Sequence, residues 1–128
     1  MKIQQSWENK DLSLEAATKI VESFFALKNF VTKRREKNQQ YFVLSSGPNK
    51  EGSYVRIDAR IFREDNKIFV ELSAGESPFV KMSAFTTLIF GGRPTIQGIK
   101  SEEMLNRMES EFFTYVGERI LSAGNPTP

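Results

Sequence analysis

Ser53–Gly75 reads SYVRIDARIFREDNKIFVELSAG, and its pattern decides the fold. Val55, Ile57, Ala59 and Ile61 alternate with Tyr54, Arg56, Asp58, Arg60 and Phe62. Further on, Ile68, Val70 and Leu72 alternate with Lys67, Phe69, Glu71 and Ser73. A period of two sends the two sets to opposite faces of a sheet. Between the runs, Asp65-Asn66 tolerates positive φ and suits a two-residue turn. That turn predicts Ile61 opposite Val70 and Ala59 opposite Leu72 on an aliphatic face. It predicts Phe62 opposite Phe69 and Arg60 opposite Glu71 on the other. A single register satisfies both faces, as it must when one of them is buried. The rest of the chain has to cover the aliphatic side.

Upstream, Gly47 to Gly52 is dense in turn formers and reads as a loop. Before it, Phe30 to Arg35 reads as a strand that turns at Lys37-Asn38 into a second, Gln40 to Ser46. The basic run Lys33, Arg34, Arg35, Lys37 therefore falls at a hairpin end, where charge discourages strand addition. Leu14, Ala17, Ile20, Val21, Phe24 and Leu27 recur at helical spacing. They define an amphipathic helix from Leu14 to Lys28, with Ser13 as its N-cap and Glu15 near its positive end. Lys2 to Glu8 is a short strand, with Ile3, Gln5 and Trp7 on one side; Asn9 to Ser13 is a turn.

Downstream, Ser77-Pro78 pairs an N-cap with a proline at the first helical position. Phe79, Met82, Phe85 and Ile89 continue a helix from Pro78 to Ile89. The β-branched Thr86, Thr87 and Ile89 leave a strand over Phe85 to Phe90 as the alternative. Gly91-Gly92-Arg93-Pro94 stops that element, and Thr95 to Lys100 is a connector. Ser101 caps a last helix with Glu102 and Glu103 in its first turn. Leu105, Met108, Phe112, Val116 and Ile120 form its buried stripe. Gly117 inside that helix costs about 1 kcal/mol relative to Ala, which points to a close approach against the sheet. Residues 1–123 thus make one domain, and Gly124 to Pro128 is a frayed tail.

The fold class is α+β: a single antiparallel meander sheet with helices packed on one face, in the order β-α-β4-α-α. A short first strand, a helix ending at Lys28-Asn29-Phe30, four meandering strands and a long final helix resemble the TBP-like or helix-grip arrangement, also used by small uncharacterised prokaryotic proteins. The resemblance is one of topology. No motif of the TATA-binding protein is present, nor the internal duplication of that protein, so the resemblance implies a fold and not DNA binding.

Composition narrows the chemistry. The 128 residues contain neither cysteine nor histidine. That excludes disulfides, thiolate zinc sites, a cysteine nucleophile and any histidine-based triad or metal site. No P-loop, GxGxxG or nucleophile elbow occurs. No apolar run reaches the roughly 18 residues of a membrane span, and MKIQQSWENK lacks the apolar core of a signal peptide. A cytoplasmic protein without cofactor is expected. Eleven phenylalanines imply a bulky core or an aromatic-lined cavity. Charge is uneven: Lys28–Lys67 holds ten basic and five acidic side chains, whereas Ser101 to the end holds two and five. The basic sheet can attract an anionic partner, or the two segments can complement each other within the fold or between subunits.

Three classes of activity follow. Asp58 and Glu71 beside Arg56 and Arg60 have the make-up of a general acid/base pair with an anion clamp, but also of a cross-strand ion-pair ladder. The ladder, with no catalytic motif elsewhere, makes a non-enzymatic binding or interaction module the leading expectation, homodimeric through its sheet or bound to another protein. Tyr54, Arg56, Arg60, Phe62 and Phe69 on one sheet face are its candidate interaction residues. The same residues suit a nucleic-acid-binding surface, with aromatics for bases and arginines for phosphates. A small apolar ligand in a cavity under the last helix, near Ala59, Ala74, Gly75 and Gly117, is the third.

Overall fold

The structure, a computed structural model, describes residues 2–48, 54–74 and 94–123. Its elements are β1 (Lys2–Glu8), α1 (Leu14–Leu27), β2 (Val31–Lys37), β3 (Gln40–Pro48), β4 (Tyr54–Glu64), β5 (Lys67–Ser73) and α2 (Pro94–Ser122). The five strands form one antiparallel sheet in the order β1-β5-β4-β3-β2. Consecutive strands β2 to β5 are neighbours, and β1 joins from the far end of the chain against β5. The predicted helix over Pro78–Ile89 lies outside the described residues.

The central hairpin adopts the expected register. Phe62 faces Phe69, Ile61 faces Val70, Arg60 faces Glu71 and Ala59 faces Leu72. Asp65 takes the positive φ of 55° that the turn requires. The preceding hairpin turns one residue later than its sequence suggests. Lys37 pairs with Gln40, and Asn38 and Gln39 form the loop with φ of 53° and 60°. Both central residues left-handed is the geometry that matches strand twist in a two-residue hairpin. β2 accordingly runs Val31–Lys37 rather than Phe30–Arg35.

α1 begins where the sequence says. Ser13 has extended backbone, and its Oγ accepts a hydrogen bond from the Ala16 N–H at 3.1 Å. Lys28 is its C-cap, and Asn29 leaves the helix at a φ of 64°. α2 differs from expectation: it starts at Pro94, so Thr95–Lys100 is helical and Ser101 lies inside the helix. Proline has no N–H to lose in a first turn and its φ is already helical. It therefore opens this helix.

Both helices cover the aliphatic face. Val21, Phe24 and Phe25 of α1 and Leu105, Phe112, Val116 and Ile120 of α2 meet Val43, Val55, Ile57, Ile61, Ile68, Val70 and Leu72, all essentially buried. Phe112 sits at the centre, 5.1 Å edge-on to Phe24, 5.7 Å from Phe25 and 5.2 Å from Phe113. Two glycines let rings approach. A Cβ on Gly117 would lie 2.6 Å from the Trp7 indole nitrogen, and one on Gly47 would lie 2.4 Å from the Phe30 ring. The close helix–sheet approach expected at Gly117 is thus made by the β1 tryptophan, which also packs 6.1 Å from Phe113. Asn9 fastens the β1–α1 loop to the end of α2. Its Nδ2 donates to the Ile120 and Ala123 carbonyls at 2.7 and 2.8 Å, and its Oδ1 accepts from the Asp11 and Leu12 N–H groups. Arg63 donates to the Asn9 and Leu12 carbonyls from the sheet. Among the described residues no helix is long and apolar enough to cross a membrane.

Candidate interaction face

The face of the sheet opposite α1 and α2 carries the residues singled out by alternation. Register sets them in rows. Lys33, Leu44, Asp58, Ser73 and Lys2 form one; Arg35, Phe42, Arg60, Glu71 and Gln4 the next; Lys37, Gln40 and then Phe62, Phe69 and Ser6 a third. Arg56 lies opposite Ser46, and the backbone of Tyr54 pairs with Pro48 at the end of β4. The Tyr54 side chain lies outside what the structure describes.

Three of the five candidates, Arg60, Phe62 and Phe69, come together, and Arg56 pairs with Asp58 beside them. The Arg60 Nη2 donates to Glu71 Oε2 at 3.0 Å, and its guanidinium lies 4.4 Å over the Phe62 ring. Phe62 and Phe69 stack at 5.1 Å with their planes 8° apart. Arg56 Nε contacts Asp58 Oδ1 at 3.3 Å. Phe62 is only 8% exposed and Asp58 2%. Arg56 and Arg60 therefore already face carboxylates, and the buried Phe62 ring is contacted by both Phe69 and the Arg60 guanidinium. Partly buried charge-assisted pairs of this kind hold geometry more than they add stability. The Asp58 carboxylate is closed off from a substrate, and Glu71 is engaged by Arg60, which is the make-up of a ladder rather than of an acid/base pair. Among the described residues no cluster of acidic side chains has the make-up of a metal site.

The basic run of β2 separates by alternation. Arg34 points to the helix side, where Glu22 takes hydrogen bonds from its Nη2 and Nε and Glu15 lies 3.8 Å from Nη1. The bond to Glu22, reinforced by both carboxylates, raises the Arg34 pKa above its ordinary value against the opposing effect of burial. Lys33, Arg35 and Lys37 point the other way, are exposed, and make no ion pair among the described residues. Lys33 and Arg35 extend the Asp58 and Arg60 rows across Leu44 and Phe42. Sequence reading confined the face to β4 and β5. The signal for the missing row was the same period of two, carried through β3 into TKRREK.

Among the described residues, the acidic last helix is joined to the basic segment by an exposed ion pair in which Lys28 Nζ meets Glu111 Oε1 at 2.6 Å. Phe24, Phe25, Phe112 and Phe113 pack together in the helix–sheet seam. Two hollows lined by described residues open at the surface. One, about 270 Å³, is bordered by Glu8–Asp11, Asn66, Leu121 and Ala123. The other, about 360 Å³, lies beside the β1 edge between Gln5 and Asn106, Glu109, Ser110, Phe113 and Thr114 of α2.

No family model and no curated protein matches the chain. Among solved structures it is similar to the vertebrate conserved region of human METTL16, at 8% identity and a TM-score of 0.56, over 91% of this chain and 98% of that one. It is also similar to a TBP-like protein from Parabacteroides distasonis ATCC 8503, at 13% identity and a TM-score of 0.42, over 91% and 92% of the two chains. At such identity the likeness is one of fold, and the first of the two carries it. The resemblance read from the sequence is likewise one of topology.

Proposed function

We propose that this is a non-enzymatic interaction domain that binds an acidic protein partner on the exposed β2 side of the sheet face opposite the helices. One observation supports the reading above the others: Lys33, Arg35 and Lys37 stand exposed in line, while Arg56 and Arg60 of β4 are already paired. Alternate residues of a strand lie about 6.6 Å apart, so the three cations present a regular row. Leu44, half-buried, lies behind Lys33 in the same row, and Phe42 behind Arg35 is buried. A surface of this make-up steers an acidic partner and fixes its register.

The same row is the feature that favours nucleic acid as the second reading. Against it, the Phe62 ring is buried against Phe69 and the Arg60 guanidinium, and a base needs a free ring face to stack on. Titration separates the two. Labelled poly-glutamate and single-stranded RNA and DNA are titrated at two salt concentrations, with wild type and with Lys33→Glu, Arg35→Glu, Lys37→Glu combined. Salt-dependent binding of the acidic chain, lost in the triple variant, is the expected result. RNA or DNA bound more tightly, with the same loss, replaces the first reading by the second. Binding of none of the three probes, or binding indifferent to the triple variant, removes both.

A further inference from the structure

The two edges of the sheet are equipped differently. β2 is guarded: paired with a second β2 it would set Lys33 against Arg35, like charge against like. β1 has no such guard. Its sequence Lys2-Ile3-Gln4-Gln5-Ser6-Trp7-Glu8 has charge only at its ends, opposite in sign, and contains no proline. Laid antiparallel on a copy of itself about Gln5, it matches Lys2 with Glu8, Ile3 with Trp7 and Gln4 with Ser6.

The backbone agrees with that register. The Asn9 N–H donates to the Asn66 carbonyl at 3.0 Å, in step with the β1–β5 pairing. Backbone groups alternate sides along a strand, so Ile3, Gln5 and Trp7 turn theirs to β5, and Lys2, Gln4, Ser6 and Glu8 turn theirs to the free edge. The self-match pairs outward-turned residues only with each other. A shift by two residues keeps that backbone match but shortens the overlap and separates Lys2 from Glu8. A shift by one puts outward groups against inward ones.

We infer that the chain forms a two-fold homodimer through β1, joining two sheets into one of ten strands. This surface is distinct from the β2 side and does not depend on the reading above. Lys2 and Glu8 close both ends of the seam with opposite charges. Ile3 meets the partner's Trp7 on the helix side, an aliphatic–aromatic cross-strand pair. The hollow beside Gln5, walled by Asn106, Glu109, Ser110, Phe113 and Thr114, flanks the axis. Pairing of this kind is isologous and closes at two chains.

The absence of cysteine in the natural chain makes the test direct. Gln5 is the only position that faces itself across the axis. It is a non-hydrogen-bonded pair there, with Cα atoms about 4.5 Å apart and within disulfide reach. Under oxidised glutathione, Gln5→Cys is expected to cross-link to a covalent dimer, and Gln4→Cys, which faces Ser6, is expected not to. Sedimentation equilibrium of the wild type is expected to give twice the 14.6 kDa of one chain. Lys2→Glu sets like charges at both ends and weakens dimerisation roughly tenfold. Adding Glu8→Lys restores it to within a few-fold, with circular dichroism confirming that each variant is folded. Ser6→Pro blocks the edge without removing a bond to β5, since its N–H faces outward, and is expected to give monomer. A wild-type monomer at high concentration overturns the inference. So do equal cross-linking at positions 4 and 5, no rescue by the double charge reversal, or masses that grow beyond two chains.

Discussion

Gly117→Ala sets helix propensity against packing, and the structure decides which wins. Replacing a mid-helix glycine by alanine favours folding by about 1 kcal/mol on propensity alone. At this position the new Cβ meets three atoms of the Trp7 indole, at 2.6, 2.9 and 3.1 Å. The ring is rigid and backed by Phe113, so it moves only by shifting β1 or α2. Overpacking of this kind costs about 1–3 kcal/mol, and contact with three ring atoms places it at the upper end. The net expectation is a loss of about 1–2 kcal/mol, or a melting temperature lower by about 3–10 °C. Trp7 is the only tryptophan, so its fluorescence reads the site directly. Chemical denaturation followed by that fluorescence is expected to show a lower midpoint and an altered native emission spectrum. Far-ultraviolet circular dichroism of Trp7→Phe, alone and combined with Gly117→Ala, completes a double-mutant cycle, and the smaller ring is expected to recover part of the loss. A stabilised Gly117→Ala protein with unchanged emission refutes the reasoning, because propensity would then have acted without a steric opponent.

Three further outcomes are expected. Asn9→Ala removes the two side-chain donors to the Ile120 and Ala123 carbonyls and the acceptor for two loop N–H groups; a loss of about 1–3 kcal/mol in denaturant titration is expected, with faster amide exchange at residues 10–12. Gln39→Gly relieves a left-handed residue in the β2–β3 turn and is expected to raise stability by about 0.5–1 kcal/mol in a thermal melt, while glycine at Arg35 in the neighbouring strand lowers it. Phe112→Ala opens a void among Phe24, Phe25 and Phe113 and is expected to cost about 3–5 kcal/mol by urea titration, with Phe112→Leu costing less.

The central hairpin was legible because two independent patterns, aliphatic and polar-aromatic, demand the same register. One residue of slip would have inverted both. The start of α1 was legible because Ser13 is a local signal acting on its own helix. The start of α2 was misread because proline has two meanings, stop and first position, and only the helix that follows distinguishes them. The β2–β3 turn was misplaced by a residue because Lys-Asn and Asn-Gln both lack glycine, and register with β3 fixes the choice. The candidate face was legible as an alternation. Its closure was not, since the reach of Arg60 to both Glu71 and Phe62 depends on rotamers that no spacing encodes. Lys33 and Arg35 were read as an edge guard, and they become part of the face only once β3 is known to lie between them and β4.

The pairing of β1 with β5 also has a kinetic meaning. Four strands of the sheet, β2 to β5, follow one another closely in the chain and form in sequence order, each pairing closing a short stretch of chain. β1 is synthesised first, yet its pairing partner arrives only after the whole meander has been made. Closing that long loop is the costliest step in chain entropy, so β1 docks late and the β5 edge waits uncovered. Ile68, Val70 and Leu72 lie on that waiting strand, which makes the β1-less species the one most exposed to misassociation during synthesis.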